Sequence, residues 1–170
     1  LVILTCAISF NTIYAQENKV NDNTQTEEKS YLELPRIQVI PIEDTKNDRR
    51  YELYVKLPEG YSENKDKKYP VLYFTDAMWH VEILSASTEY MLEDVILVGI
   101  SWQLDINEDL KNEVGDHFSR YRDYSILKSN KPDIQTKFQR GQANKHVDFI
   151  RNDVITYVDN TYRTDPNSRT

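Results

Sequence analysis

The stretch "FTDAMWH", residues 74–80, ends an apolar run and opens a helical pattern, and a junction of that kind can do chemistry. The first N–H groups of a helix have no acceptor within it, so they can hold an anionic oxygen; a plain turn accounts for the same letters. A second stretch, "HFSRYRDYS" (117–125), places Arg120 and Arg122 beside Asp123. It reads either as an ion pair that tethers a loop or as a guanidinium offered to an acidic or polar substrate. "VGISWQ" (98–103) starts like the G-x-S-x-G turn of a nucleophilic serine. That turn has too little room to do without its second glycine, and Gln103 stands there. Ser101 therefore reads as a polar residue closing a buried strand.

Metal chemistry has weaker support. "DINEDLKNEVGD" (105–116) offers Asp105, Asn107 and Asp109 like the start of a calcium loop. Leu110 replaces the sharp-turn glycine and Asp116 replaces the bidentate glutamate, so a calcium site is not expected. The histidines, His80, His117 and His146, lack any zinc-ligand spacing, and His146 is placed on the surface side of its helix. No cofactor and no metal are called for.

These residues need a scaffold, and the hydropathy pattern supplies one. "RIQVIPI" (36–42) and "RRYELYVKLP" (49–58) alternate with period two. In the second, Tyr51, Leu53, Val55 and Leu57 share one face while Glu52, Tyr54 and Lys56 share the other. With "EDTKND" as a turn between them, the pair predicts an antiparallel hairpin. "YPVLYF" (69–74) and "DVILVGIS" (94–101) are continuous apolar runs, as in strands covered on both faces. Between them, residues 77–92 fit a helix, with Trp79, Ile83, Ala86 and Tyr90 at spacings of three or four. Strand, helix, strand implies a parallel βαβ unit with a right-handed crossover. Residues 102–137 read as a long polar loop, of the sort that carries function in α/β domains. A second helix spans 143–162, with Val147, Ile150, Val154 and Val158 as its inward stripe. After a polar turn, Ser168-Arg169-Thr170 looks like the first step of another strand.

Composition limits the partners. The 170 residues carry 21 basic and 28 acidic side chains, a net charge of −7, which opposes binding to nucleic acid. Residues 1–15 form an apolar run of signal-peptide type, too short to span a bilayer comfortably, so no stable membrane insertion is expected. Cys6, the single cysteine, lies inside that run. Residues 16–34 read as a flexible linker and 35–170 as the folded domain. The expected location is secreted or periplasmic.

Four segments in order resemble a known family. "YELYVKLPEGYSENKDKKYPVLYFTDA" (51–77), "DVILVGIS", "SRYRDYS" (119–125) and "FIRNDVITYVDNTYRTDPNSRT" (149–170) are similar to the "Putative esterase" family, with its esterase-D-like and enterochelin-esterase-like members. The resemblance implies the N-terminal half of an α/β-hydrolase sheet: an antiparallel hairpin, then parallel strands with flanking helices, ending before the nucleophile strand. It implies that the backbone N–H of Ala77 or Met78 is one oxyanion donor, with Trp79, His80, Arg120 and Arg122 near the substrate. It also implies a secreted serine carboxylesterase whose serine, acid and histidine lie beyond residue 170. The 170-residue chain alone is then expected to be inactive. The substrate would be a small-molecule or glycan-linked ester. Two other readings stand beside it: a noncatalytic glycan- or siderophore-binding module, and a periplasmic interaction domain.

Overall fold

A computed structural model describes residues 36–92 and 94–170; the leader (1–15) with Cys6 and the linker (16–34) lie outside the described residues. The expected hairpin is present. Strands β1 (Ile37–Asp44) and β2 (Arg49–Lys56) pair antiparallel, and the period-two face of β2 buries Tyr51, Leu53 and Val55 completely or nearly so. Strand β3 (Tyr69–Thr75) leads through helix α1 (Ala77–Met91) to β4 (Ile96–Ile100), and β3 and β4 are parallel. β4 inserts between β2 and β3, so all five of its residues are buried, as a continuous apolar run requires.

The loop expected over 102–137 contains short helices instead. α2 (Glu108–Val114) starts where the Asn107 side chain accepts the N–H of Asp109 at 2.8 Å. A 3-10 turn (Asp116–Ser119) runs into α3 (Arg120–Asp123), and α4 (Pro132–Phe138) opens with proline in its first turn, where the missing N–H costs nothing. Elements of four to seven residues are too short to show a hydrophobic period, which is why they read as loop.

The last helix is interrupted. α5 (Ala143–Phe149) continues through a π-helical turn (Ile150–Val154) into α6 (Ile155–Thr161). The wider turn shifts the register, so the inward residues are His146, Phe149, Val154 and Val158, with a step of five in the middle. The expected stripe assumed an unbroken 3.6-residue period, and Val147 is in fact half exposed. His146, placed on the surface by that same assumption, is buried against Tyr51, Tyr124 and Phe149.

Burial lowers the pKa of His146 from its ordinary 6.5, and neither ring nitrogen meets a partner among the described residues. Since the unfolded chain takes up the proton more readily, the stability due to neutral His146 is complete above about pH 6.5 and is lost as pH falls through the depressed folded value. Urea midpoints should therefore drop between pH 7.5 and 5.5, and His146→Phe should flatten that slope.

Strand β5 (Thr164–Arg169) closes the sheet, in the order β1-β2-β4-β3-β5, parallel to β3. Tyr69 pairs with Thr164 and Val71 with Arg169, so the polar turn around Pro166 bulges out of the ladder. The ladder resumes where the sequence suggested: the N–H of Thr170 donates to Val71, and that of Tyr73 to Thr170.

The main core lies on the α5–α6 face of the sheet, where Tyr51, Leu53, Val55, Tyr69, Val71, Ile96, Val98 and Ile100 meet Phe149, Val154 and Val158. Burying each such side chain contributes about 1.5–3 kcal/mol. The other face holds α1, and here the periodic stripe misleads. Ala77, Ser85 and Thr88 point inward, while Trp79, Ile83, Ala86 and Tyr90 lie exposed. Buried Lys56 reaches up to the carbonyl of Ser85 and the carboxylate of Glu89, so α1 meets the sheet partly through polar contacts.

Gly99 sets how closely α1 begins. A Cβ on Gly99 would lie 2.5 Å from the Phe74 ring and 2.8 Å from the Ala77 methyl. Gly99→Ala should destabilise the protein by about 1–3 kcal/mol in a denaturant titration, through overpacking.

Candidate active site

The junction between β3 and α1 is built around Asp76. Its backbone is left-handed (φ 57°, ψ 42°), a conformation that an Asx residue tolerates better than most. The turn swings the chain from the end of β3 into α1. The carbonyl of Asp76 accepts the N–H of Trp79 at 2.9 Å and of His80 at 3.2 Å. The first two helical N–H groups, those of Ala77 and Met78, have no acceptor among the described residues. Ala77 is wholly buried against Gly99, whereas Met78 is half exposed. Of the two residues only Met78 is exposed, so its N–H is the candidate donor for a ligand.

The Asp76 side chain is buried and collects three donors on one oxygen. Oδ1 accepts from Trp102 Nε1 at 2.7 Å, Arg120 Nε at 2.9 Å and the Tyr124 hydroxyl at 3.1 Å. Each is a charge-assisted or near-buried hydrogen bond, so together they fix the α1 junction against α3. Burial, with Asp76 also beside it, pushes the Tyr124 phenol above its ordinary range, which keeps it a donor. The Arg120 guanidinium lies over the Trp79 ring, 4.7 Å from its centroid, and near the Tyr124 ring at 5.4 Å. Trp79 meets Trp102 edge-on at 4.8 Å, with His117 beside both.

Of the residues expected near a substrate, Trp79, His80 and Arg120 gather around this junction. His80 lines a cleft of about 400 Å³ at the carboxyl ends of β3 and β4, with Tyr73, Phe74, Thr75 and Ile100. Ligands in open α/β sheets bind at that end of the strands.

Arg122 is a correction. It is buried, donates to Asp123 through Nε at 2.7 Å and Nη2 at 2.9 Å, and reaches the Tyr51 hydroxyl at 3.3 Å. The alternation of the R-x-R-D stretch on α3 sends Arg120 toward the junction and Arg122 into the core, where it serves as a tether. Ser101 is engaged as expected for a strand-closing residue: its Oγ accepts from the Glu52 N–H at 2.8 Å and donates to the Trp102 carbonyl at 2.7 Å. Asp105 accepts from the Arg50 N–H and from Gln103, which ties β2 to the segment after β4. The sequence reading missed Trp102 and Tyr124 as partners of Asp76. Tyr124 follows the R-x-R-D stretch directly, but only the fold shows that its hydroxyl crosses to β3.

The family model described as "Putative esterase" matches residues 45–170. The chain belongs to this esterase family. Solved structures agree on the fold. An IroE-like serine hydrolase from Shewanella oneidensis aligns with a TM-score of 0.56 at 23% identity, covering 75% of this chain and 39% of that one. The BES protein from Bacillus cereus aligns with a TM-score of 0.65 at 15% identity, covering 84% and 55%. A ferulic acid esterase aligns with a TM-score of 0.50 at 16% identity, covering 79% and 47%. This esterase-family chain thus spans about two-fifths to just over half the length of these structures. No curated protein matches it. Its five-stranded mixed sheet with flanking helices is the α/β architecture of these relatives. Among the described residues, no helix is long and apolar enough to cross a membrane.

Proposed function

We propose that this chain forms the N-terminal part of a serine carboxylesterase, and that the Asp76 junction supplies one wall of its oxyanion site. The observation that carries the reading is that the Met78 N–H has no acceptor among the described residues, at a helix start tied down by Asp76 at the carboxyl end of β3. Such a donor stabilises negative charge on an ester carbonyl oxygen as the bond to a nucleophile forms. Ala77 acts as packing beneath it.

In the proposed reaction a serine outside residues 1–170 attacks the carbonyl carbon, and a base takes its proton. The tetrahedral oxyanion then collapses, the alcohol leaves with a proton, and water releases the acyl group as an acid. His80 lines the cleft that receives the ester, while Trp79 packs against Trp102 and Arg120 beside it and Arg120 holds the junction through Asp76. The reading includes export from the cytoplasm, supported by the apolar run at residues 1–15, and a small-molecule or glycan-linked ester as substrate.

The test uses the full reading frame. Purified protein is incubated with 4-nitrophenyl butyrate, and separately with a fluorophosphonate probe followed by peptide mass spectrometry. Turnover with a labelled serine outside residues 1–170 is expected, and residues 1–170 alone should show neither. Turnover by residues 1–170, or the absence of both turnover and label from the full protein, would overturn the proposal.

A further inference from the structure

A second pocket adjoins the junction. About 280 Å³ in volume, it is lined by His117, Arg120, Tyr121, Tyr124, Ser125 and Arg140. On a chain of net charge −7, every charged side chain of this lining is cationic and none is a carboxylate. A water-filled hollow of that character raises the local concentration of anions.

The site is held in place from several sides. Among the described residues Arg120 bonds Asp76 through Nε alone, which leaves its two terminal nitrogens for another acceptor. Arg140 lies between Gln139 and Gly141, both at positive φ, and its carbonyl accepts from the Gln135 side chain. The N–H of Gly141 donates to Ser125 Oγ at 2.7 Å, and the next two N–H groups donate to Arg122 and Ser125 carbonyls. A Cβ at Gly141 would lie 2.9 Å from the Lys128 backbone nitrogen, so this tight return needs glycine. The segment bearing Arg140 is thus pinned to α3, while its side chain stands exposed at the pocket.

We infer that this pocket recognises an anionic oxygen group, carboxylate or phosphate, carried by the ester substrate. Two guanidiniums can present paired N–H groups to such an oxyanion, with the Tyr121 and Tyr124 rings as walls for the attached carbon skeleton. Arg120 and Tyr124 also bond the Asp76 side chain, so this pocket is joined through them to the turn that opens α1. The inference rests on the esterase reading for the ester, but not for the affinity toward the anion.

The experiment has two readouts on the full-length protein. In the first, 4-acetoxybenzoate and 4-acetoxyphenyl phosphate are compared with neutral 4-acetoxybenzamide. The anionic esters should show a KM about tenfold lower, and Arg140→Gln should bring the charged-to-neutral ratio close to one. The better of the two anionic esters identifies which oxyanion the pocket prefers. In the second, calorimetry compares binding of 4-hydroxybenzoate, phenyl phosphate and 4-hydroxybenzamide, without turnover. Turnover of all esters with equal KM, and equal binding, overturns the pocket while leaving the esterase reading intact. Selective anion binding lost in Arg140→Gln, with no turnover of any ester, supports the pocket and removes the esterase.

Discussion

Asp76→Ala should be the most damaging single replacement at the junction, lowering stability by about 3 kcal/mol and kcat of the full-length enzyme about 100-fold. Three donors lose one shared acceptor. Trp102 Nε1 is buried and would be left unsatisfied, whereas Arg120 is partly exposed and can turn to water, which limits the loss. Alanine also adopts the left-handed backbone at φ 57° less readily than aspartate. The catalytic loss has a separate origin. The Asp76 side chain fixes the turn that leads to Met78, and in the proposed reaction a donor moved by a fraction of an ångström would no longer meet the oxyanion. Asp76→Asn separates these effects. It tolerates the same backbone and keeps one accepting oxygen, but lacks the charge, so about half the stability loss is expected. Urea denaturation and steady-state kinetics on both variants check this. Equal, small effects from both would mean that the junction is held by packing alone.

Asp123→Ala should cost about 3–5 kcal/mol, because it strands a buried arginine. Asp123, the last residue of α3, is buried and accepts two hydrogen bonds from Arg122 and one from the Tyr51 hydroxyl at 3.1 Å. Arg49 adds a third cationic or polar neighbour, at 3.7 Å, too long for a hydrogen bond. Burial, and then the nearby Asp123 carboxylate, push the Tyr51 phenol above its ordinary range, so the cluster works as neutral phenol, carboxylate and guanidinium. The sharper check is the combined replacement Tyr51→Phe, Arg122→Met, Asp123→Leu. It removes the carboxylate together with Arg122 and Tyr51 and should cost less than Asp123→Ala alone, since only Arg49, which also bonds Gln142, then loses its carboxylate neighbour. The comparison is read from chemical denaturation. A combined variant as unstable as the single one would show that the cluster contributes net stability beyond its own desolvation.

Much of the scaffold was legible because its patterns were local. The alternation at 49–58 names the inward face of β2 whatever packs against it, and the unbroken apolar run at 94–101 implies a strand covered on both sides. The failures share a cause. The stripe Trp79, Ile83, Ala86, Tyr90 is periodic, but periodicity gives a face and not its direction, and the left-handed turn at Asp76 rotates α1 so that Ala77, Ser85 and Thr88 meet the sheet. On the last helix, one π turn between Phe149 and Val154 moved His146 inward and Val147 outward. A single inserted residue in a helical register leaves no mark in composition or spacing.

For the site, the sequence by itself determined the strand-to-helix junction, its neighbours Trp79 and His80, and the family to which the chain belongs. Only the tertiary structure decided the fates of Arg120 and Arg122. Two residues apart on one short helix, they point to opposite sides: one to the junction beside an open cationic pocket, the other to a buried carboxylate. Their chemistry is identical, and what differs is the set of partners that β2, β3 and the Gly141 return bring within hydrogen-bonding distance. The distant partners, Asp76 for Arg120 and Tyr51 for Arg122, lie 44 and 71 residues away along the chain. Contacts of that separation depend on how the sheet is ordered, which no local pattern records.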